Sequence, residues 1–86
     1  MHIKWTKTAL EDFKYWSKHN VSICSRIKKL IENIKLTPFE GIGKPELLKH
    51  DLSGLWSRRI NHEHRLIYEV CRDMIIIHQC RYHYPK

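Results

Sequence analysis

Two prolines and two glycines fall within residues 37–45, and the hydrophobic period of the chain changes across them. Proline removes an amide donor and glycine weakens both helix and strand, so neither a helix nor a ladder runs through this segment. Before it, apolar residues recur at helical spacing; from Leu52 onward they alternate with a period of two. A chain that keeps its helical and strand patterns in separate halves folds as α+β, with the helices gathered on one face of an antiparallel sheet.

In the first half, residues 3–6 read as a short strand around Trp5. Thr8 is the expected N-cap of a first helix, its hydroxyl accepting from a free first-turn amide. Ala9, Phe13 and Trp16 form one stripe flanked by Leu10, and Glu11, Lys14 and Lys18 face away. Asn20 or Ser22 starts a second helix, in which Ile23, Ile27, Leu30 and Ile34 form the apolar stripe. Lys28, Lys29, Glu32 and Lys35 form its wet side. Such a helical hairpin requires a second layer to cover both stripes.

The second half reads as a meander: a strand over residues 55–60, a turn at 61–63, a strand over 64–70, a turn at 72–73 and a last strand over 74–82. Alternation sorts the side chains. Leu66, Tyr68 and Val70 make the floor for the helices, joined by Trp56 and Ile60. Arg65, Ile67 and Glu69 face the other way, with Ser57 and Arg59 beside Arg65. Two guanidiniums on the uncovered face are either a phosphate site or an ordinary solvated sheet. Alternation continued from Arg81 puts His83 on the same side. The fold expected is a single α+β domain over residues 1–86, a helical hairpin on one face of a small antiparallel sheet.

Eighty-six residues allow one domain with a small core. Sixteen Lys and Arg against nine Asp and Glu leave a formal charge of +7, and the sequence pI is near 9.5. Such a surface favours a polyanion or a small acidic protein, and charge alone does not choose between them. The sequence has no apolar run of the length a signal peptide or membrane span requires, so no membrane role is expected. Cys24, Cys71 and Cys80 are odd in number and lack a Cys-x-x-Cys pair, which fits a reducing cytoplasm better than a disulfide framework.

Chemistry concentrates at Cys80-Arg81-Tyr82-His83-Tyr84. Tyr and Arg stack on bases and hold phosphates, and a His moves a proton near neutral pH. Together with Glu46 in the Gly/Pro-rich loop and Arg65, this set suggests acid–base cleavage of RNA. Without a metal, that reaction needs a base for the 2′-hydroxyl, an acid for the departing 5′-oxygen and a cation for the phosphoryl oxygens. The plainer readings are a solvated Glu46, an Arg65 paired with Glu63 or Glu69, and an idle terminal His83. Residues 41–44 lack the spacing of a phosphate loop. His62 with His64 and His78 with Cys80 lack zinc-finger spacing, so no metal or other cofactor is expected. Trp5, Phe13, Trp16 and Tyr68 read as core.

Residues 37–60, Glu63-His64-Arg65-Leu66-Ile67-Tyr68 and the terminal Cys80–Tyr84 run closely resemble the YoeB/Txe-type toxins of the RelE/ParE superfamily. The likeness spans the whole chain. Leu47, His62 and the Pro85-Lys86 tail depart mildly from the pattern. The resemblance implies a RelE-like, microbial ribonuclease-like fold and a metal-independent endoribonuclease that cuts mRNA in the ribosomal A site. It further implies a homodimer and neutralisation by an acidic antitoxin of the YefM/Axe type. By position, Glu46 matches the general base, Arg65 the phosphate-stabilising arginine, His83 the general acid and Tyr84 the tyrosine that shapes the site. Lys49, Arg59 and Glu63 match residues around the RNA, and Arg81 joins them as an RNA-binding candidate. Two other classes stay open: a ParE-like toxin that binds DNA gyrase without nuclease residues, and a non-catalytic RNA-binding module.

Overall fold

The computed structural model describes residues 1–83. Strand β1 (His2–Trp5) leads into helices α1 (Lys7–His19) and α2 (Val21–Leu36). Strands β2 (Glu46–Leu47), β3 (Leu55–Arg59), β4 (Arg65–Val70) and β5 (Met74–Gln79) follow, with a short 3-10 turn at His50–Leu52. The five strands form one sheet in the order β1-β5-β4-β3-β2. All neighbours are antiparallel except β1 and β5, which pair in parallel from His2 opposite Met74 to Trp5 opposite Ile77. The helical hairpin therefore carries the chain from one edge of the sheet to the other.

The core lies between the hairpin and one sheet face. Ala9 and Trp16 of α1 and Ile27, Leu30 and Ile34 of α2 pack with Leu66, Tyr68, Ile75 and Ile77 of the sheet. Each fully buried aliphatic side chain contributes about 1.5–3 kcal/mol. The isoleucine run in β5 resolves by face: Ile75 and Ile77 are buried in the core, while Ile76 lies opposite Glu69. Trp5 and Phe13 pack against this core, and no helix among the described residues is long and apolar enough to cross a membrane.

Helix starts follow tertiary position as well as composition. Thr6, rather than Thr8, caps α1: its hydroxyl accepts from Ala9 N–H at 3.1 Å and donates to the His78 carbonyl at 3.1 Å. Pairing with β5 continues through Thr6, whose N–H donates to Ile77 O at 3.0 Å, so the helix begins immediately after it. Asn20 caps α2 through Ile23 N–H at 3.2 Å, and its own N–H closes α1 on Trp16 O at 2.8 Å.

Two differences from the sequence reading bear on the site. Glu46 is not in a loop but on β2, opposite Ser57. A two-residue strand following a proline is too short to show alternation. The last strand ends at Gln79, not at residue 82, because Cys80 N–H turns to the Asp12 carboxylate of α1 at 3.0 Å. Tyr82 then adopts φ 65°, and the alternation that was to align Arg81 with His83 does not apply. The connection over residues 37–45 needs its glycines: Gly43 has φ 83°, and a Cβ there would lie 2.8 Å from Leu30 Cδ2 and 3.2 Å from the Arg59 carbonyl.

Candidate active site on the open face of the sheet

Strand register places the candidate groups on the face opposite the helices. Glu46 lies opposite Ser57, Ser57 opposite Ile67, and Ile67 opposite Gln79, so these four form one row across the sheet. Two residues further along β3 and β4, Arg59 lies directly opposite Arg65. Glu46 is two strands from Arg65 and two residues out of its row, about 12 Å between Cα atoms by ordinary sheet spacings.

Arg65 is held rather than solvated. It is 8% exposed, and its Nη1 donates to the carbonyls of Asn61 at 2.8 Å and His64 at 3.1 Å. Asn61 shapes that turn by accepting the N–H groups of Glu63 at 2.8 Å and His64 at 2.7 Å. The plainer reading of Arg65 as a partner of Glu63 or Glu69 fails. Glu69 bonds His78 Nε2 at 2.9 Å, and Glu63 lies 3.7 Å from His64 Nε2. Among the described residues no carboxylate pairs with Arg65 or Arg59. Like charges directly opposite on a sheet repel, which makes the space before them attractive to an anion.

The other candidates divide. Arg59 is exposed, with its backbone N–H donating to Gly43 O at 2.6 Å. Lys49 is exposed at the start of the 3-10 turn, one residue past the buried Leu48, and Glu63 is exposed in the β3–β4 turn. His83 is exposed and follows Tyr82, whose carbonyl accepts Arg65 N–H at 3.0 Å; Tyr82 is thereby tied beside Arg65. Arg81 turns toward α1, its guanidinium 3.4 Å from the Tyr15 ring centroid and 4.6 Å from that of Tyr82. Tyr84 lies outside the described residues.

Three residues escaped the sequence reading. Gln79 Nε2 donates to the carbonyls of Arg81 at 3.2 Å and His83 at 3.5 Å, so the row containing Glu46 also holds the chain end. His64 accepts Tyr82 N–H through Nδ1 at 2.6 Å. Arg58 is fully buried on the helix side and donates to Tyr68 Oη at 3.0 Å, Thr37 O at 2.7 Å, Glu40 O at 2.8 Å and Ile42 O at 3.1 Å, and to Asn33 Oδ1. It staples the connection that delivers Glu46. The signal for Arg58 was present: a charge in the alternating run Trp56-x-Arg58-x-Ile60 must sit on the core face.

Burial shapes two nearby titrations. Asp12 is pushed above the ordinary carboxylate range by desolvation, partly offset by the bond from Cys80 N–H and by the charge of Arg81. The Tyr68 hydroxyl is also raised by burial, against the opposing effect of Arg58. Among the described residues no group of three or more His, Cys, Asp or Glu is placed to hold a metal ion.

Comparison with known proteins agrees with this fold. Residues 5–84 match the family of YoeB-like toxins of bacterial type II toxin–antitoxin systems. Toxin YoeB of Escherichia coli K12 is 50% identical over 84 residues, covering 98% of this chain and all of that protein. The solved YoeB/ParE toxin of Agrobacterium tumefaciens superposes with a TM-score of 0.95 at 43% identity, over 98% of this chain and 100% of that one. Staphylococcus aureus YoeB, solved as a dimer, gives a TM-score of 0.91 at 45% identity over 98% of each chain. It is also known in a heterotetrameric complex with YefM, where the toxin chain gives a TM-score of 0.90 and 45% identity over 98% of each chain. With the family matched over nearly its whole length and half its residues shared with a full-length relative, the chain belongs to the YoeB-like toxins of bacterial type II toxin–antitoxin systems.

Proposed function

We propose that this toxin is a ribosome-dependent endoribonuclease that cleaves mRNA in the A site by metal-independent acid–base catalysis, and so halts translation. The observation that carries the reading is Arg59 directly opposite Arg65, without carboxylate partners among the described residues, beside the segment that leads to His83. A sheet face that opposes two guanidiniums, with Glu46 two strands from Arg65 and the segment leading to His83 alongside, suits a phosphodiester better than a protein groove.

In this reading Glu46 takes the proton of the 2′-hydroxyl, whose oxygen attacks the adjacent phosphorus. The bond to the 5′-oxygen breaks and His83 supplies the proton that oxygen needs, leaving a 2′,3′-cyclic phosphate. Arg65, fixed by two carbonyls, meets the charge on the non-bridging oxygens without having to reorganise. Arg59, Lys49 and Arg81 bind RNA, Glu63 borders the site, and Tyr84 shapes it. Positioned acid and base groups each supply on the order of 10²–10⁴-fold.

The partner in this reading is an acidic antitoxin whose flexible segment folds over the basic face and covers Arg59, Arg65 and His83. The YoeB–YefM complex of S. aureus supports such a partner, and the S. aureus dimer supports a homodimer. Purified protein added to a translating extract, with messages mapped by primer extension, tests the function. Cleavage at A-site positions is expected, and intact messages at active protein concentrations would overturn it.

A further inference from the structure

Consecutive residues entering β4 hold Tyr82 at both of its backbone groups. Its N–H donates to His64 Nδ1 at 2.6 Å, and its carbonyl accepts Arg65 N–H at 3.0 Å. Tyr82 has φ 65°, a region unfavourable to a residue with a Cβ, so the conformation depends on these bonds. Just upstream, Asp12 accepts Cys80 N–H at 3.0 Å and Trp16 Nε1 donates to Cys80 O at 2.8 Å. The Trp16 ring stands edge-on to His64 at 4.8 Å. The His64 carbonyl is also one of the two acceptors that orient the Arg65 guanidinium.

An imidazole that accepts at Nδ1 is neutral and carries its proton on Nε2. Glu63 Oε1 lies on that side, 3.7 Å away. We propose that His64 is a positioning residue for the chain end: its neutral Nδ1 clamps Tyr82 beside Arg65, and protonation of this ring opens the clamp. Once Nδ1 bears a proton it faces the Tyr82 N–H donor to donor, and the bond is lost. The surrounding charges pull in both directions. The acidic groups are Glu63 and Asp12, and the basic ones are Arg65, on the His64 carbonyl, and Arg81, near Asp12. The Tyr82 ring lies 6.0 Å from the imidazole.

The catalytic consequence, loss of His83 from its working position, rests on the ribonuclease reading; the clamp itself does not. In the wild-type toxin, long-range proton–nitrogen correlation at neutral pH is expected to show His64 with a bare Nδ1 and a protonated Nε2. The reverse tautomer would overturn the proposal. As His64 takes up a proton, the exchange protection of the Tyr82 amide should fall by about tenfold or more, the scale of one lost hydrogen bond. Unchanged protection would also overturn it.

Two variants separate the acceptor from the ring. His64→Phe keeps the packing on Trp16 and removes the acceptor; His64→Asn loses ring volume but places Oδ1 where Nδ1 stood. Message cleavage should lose about tenfold or more in kcat for the Phe variant with KM within about twofold, and stay within about threefold for the Asn variant. Equal losses, or a worse Asn variant, would assign His64 to packing alone. Should the Phe variant not fold, the wild-type titration decides. If the wild type cleaves no message, the ribonuclease reading falls while the tautomer and the Tyr82 amide still test the clamp.

Discussion

Arg58 Nε donates to the Tyr68 hydroxyl at 3.0 Å, and that hydroxyl donates onward to the Pro38 carbonyl at 2.8 Å. A fully buried guanidinium is thus satisfied by neutral oxygens alone, and those oxygens belong to α2, β4 and the connection between α2 and β2. Arg58→Ala strands these acceptors, and the expected loss is about 3–5 kcal/mol. Arg58→Lys should fall between, since one ammonium reaches fewer of them than the planar fork does. Urea unfolding followed by tryptophan fluorescence measures both; a loss below about 1 kcal/mol for Ala would contradict the staple.

Arg65 is expected to act on the transition state more than on the fold. Arg65→Ala should lower message cleavage by about 10²-fold or more, with Lys restoring only part because it lacks the fork. The accompanying loss of stability, from its bonds to Asn61 and His64, should stay near 1–2 kcal/mol. Cleavage within tenfold of wild type for a folded Ala variant would remove Arg65 from the phosphate role.

His83 is tested through its leaving group. His83→Gln should slow cleavage of an ordinary 5′-oxygen substrate far more than that of a 5′-bridging sulfur substrate, because a thiolate departs with little need for a proton. Both substrates must first be shown to be limited by chemistry. Equal losses on the two would leave His83 a binding or orienting part only.

Asp12 gives the fold a pH dependence of definite sign. Desolvation raises its folded-state value above the ordinary 3.8, so in the window between the two the folded protein binds more protons than the unfolded chain. This contribution therefore makes stability fall as pH rises through that window and level off above it. Asp12→Asn, which keeps an oxygen for Cys80 N–H, should remove this slope and match or exceed wild type at neutral pH. Urea midpoints from acid to neutral pH check it; an Asn variant clearly weaker at neutral pH would show that the charged bond to Cys80 outweighs desolvation.

Capture by the proposed acidic antitoxin should be fast and salt-sensitive, given the +7 charge and the exposed Arg59. Arg59→Glu is expected to lower the association rate more than it raises the dissociation rate, read by stopped-flow at several ionic strengths. An association rate insensitive to salt would argue against electrostatic steering.

Much of this protein is legible in its local chemistry. The helical stripes through Trp16, Ile27, Leu30 and Ile34 and the shared face of Arg59 and Arg65 follow from side-chain periods of 3.6 and 2, and the break over residues 37–45 from its prolines and glycines. These patterns repeat within a few residues, so the chain alone determines them. Thr6 rather than Thr8 became the α1 cap because its partner carbonyl is His78, 72 residues away in sequence. The parallel pairing of β1 with β5, the seat of Glu46 on β2 and the end of β5 at Gln79 were likewise decided by distant strands and by Asp12. The terminal motif was readable as chemistry, but its placement beside Arg65 depends on hydrogen bonds from β4 that no local period encodes. Composition and spacing set which surfaces each element presents, whereas long-range hydrogen bonds across the assembled sheet set where the candidate groups stand.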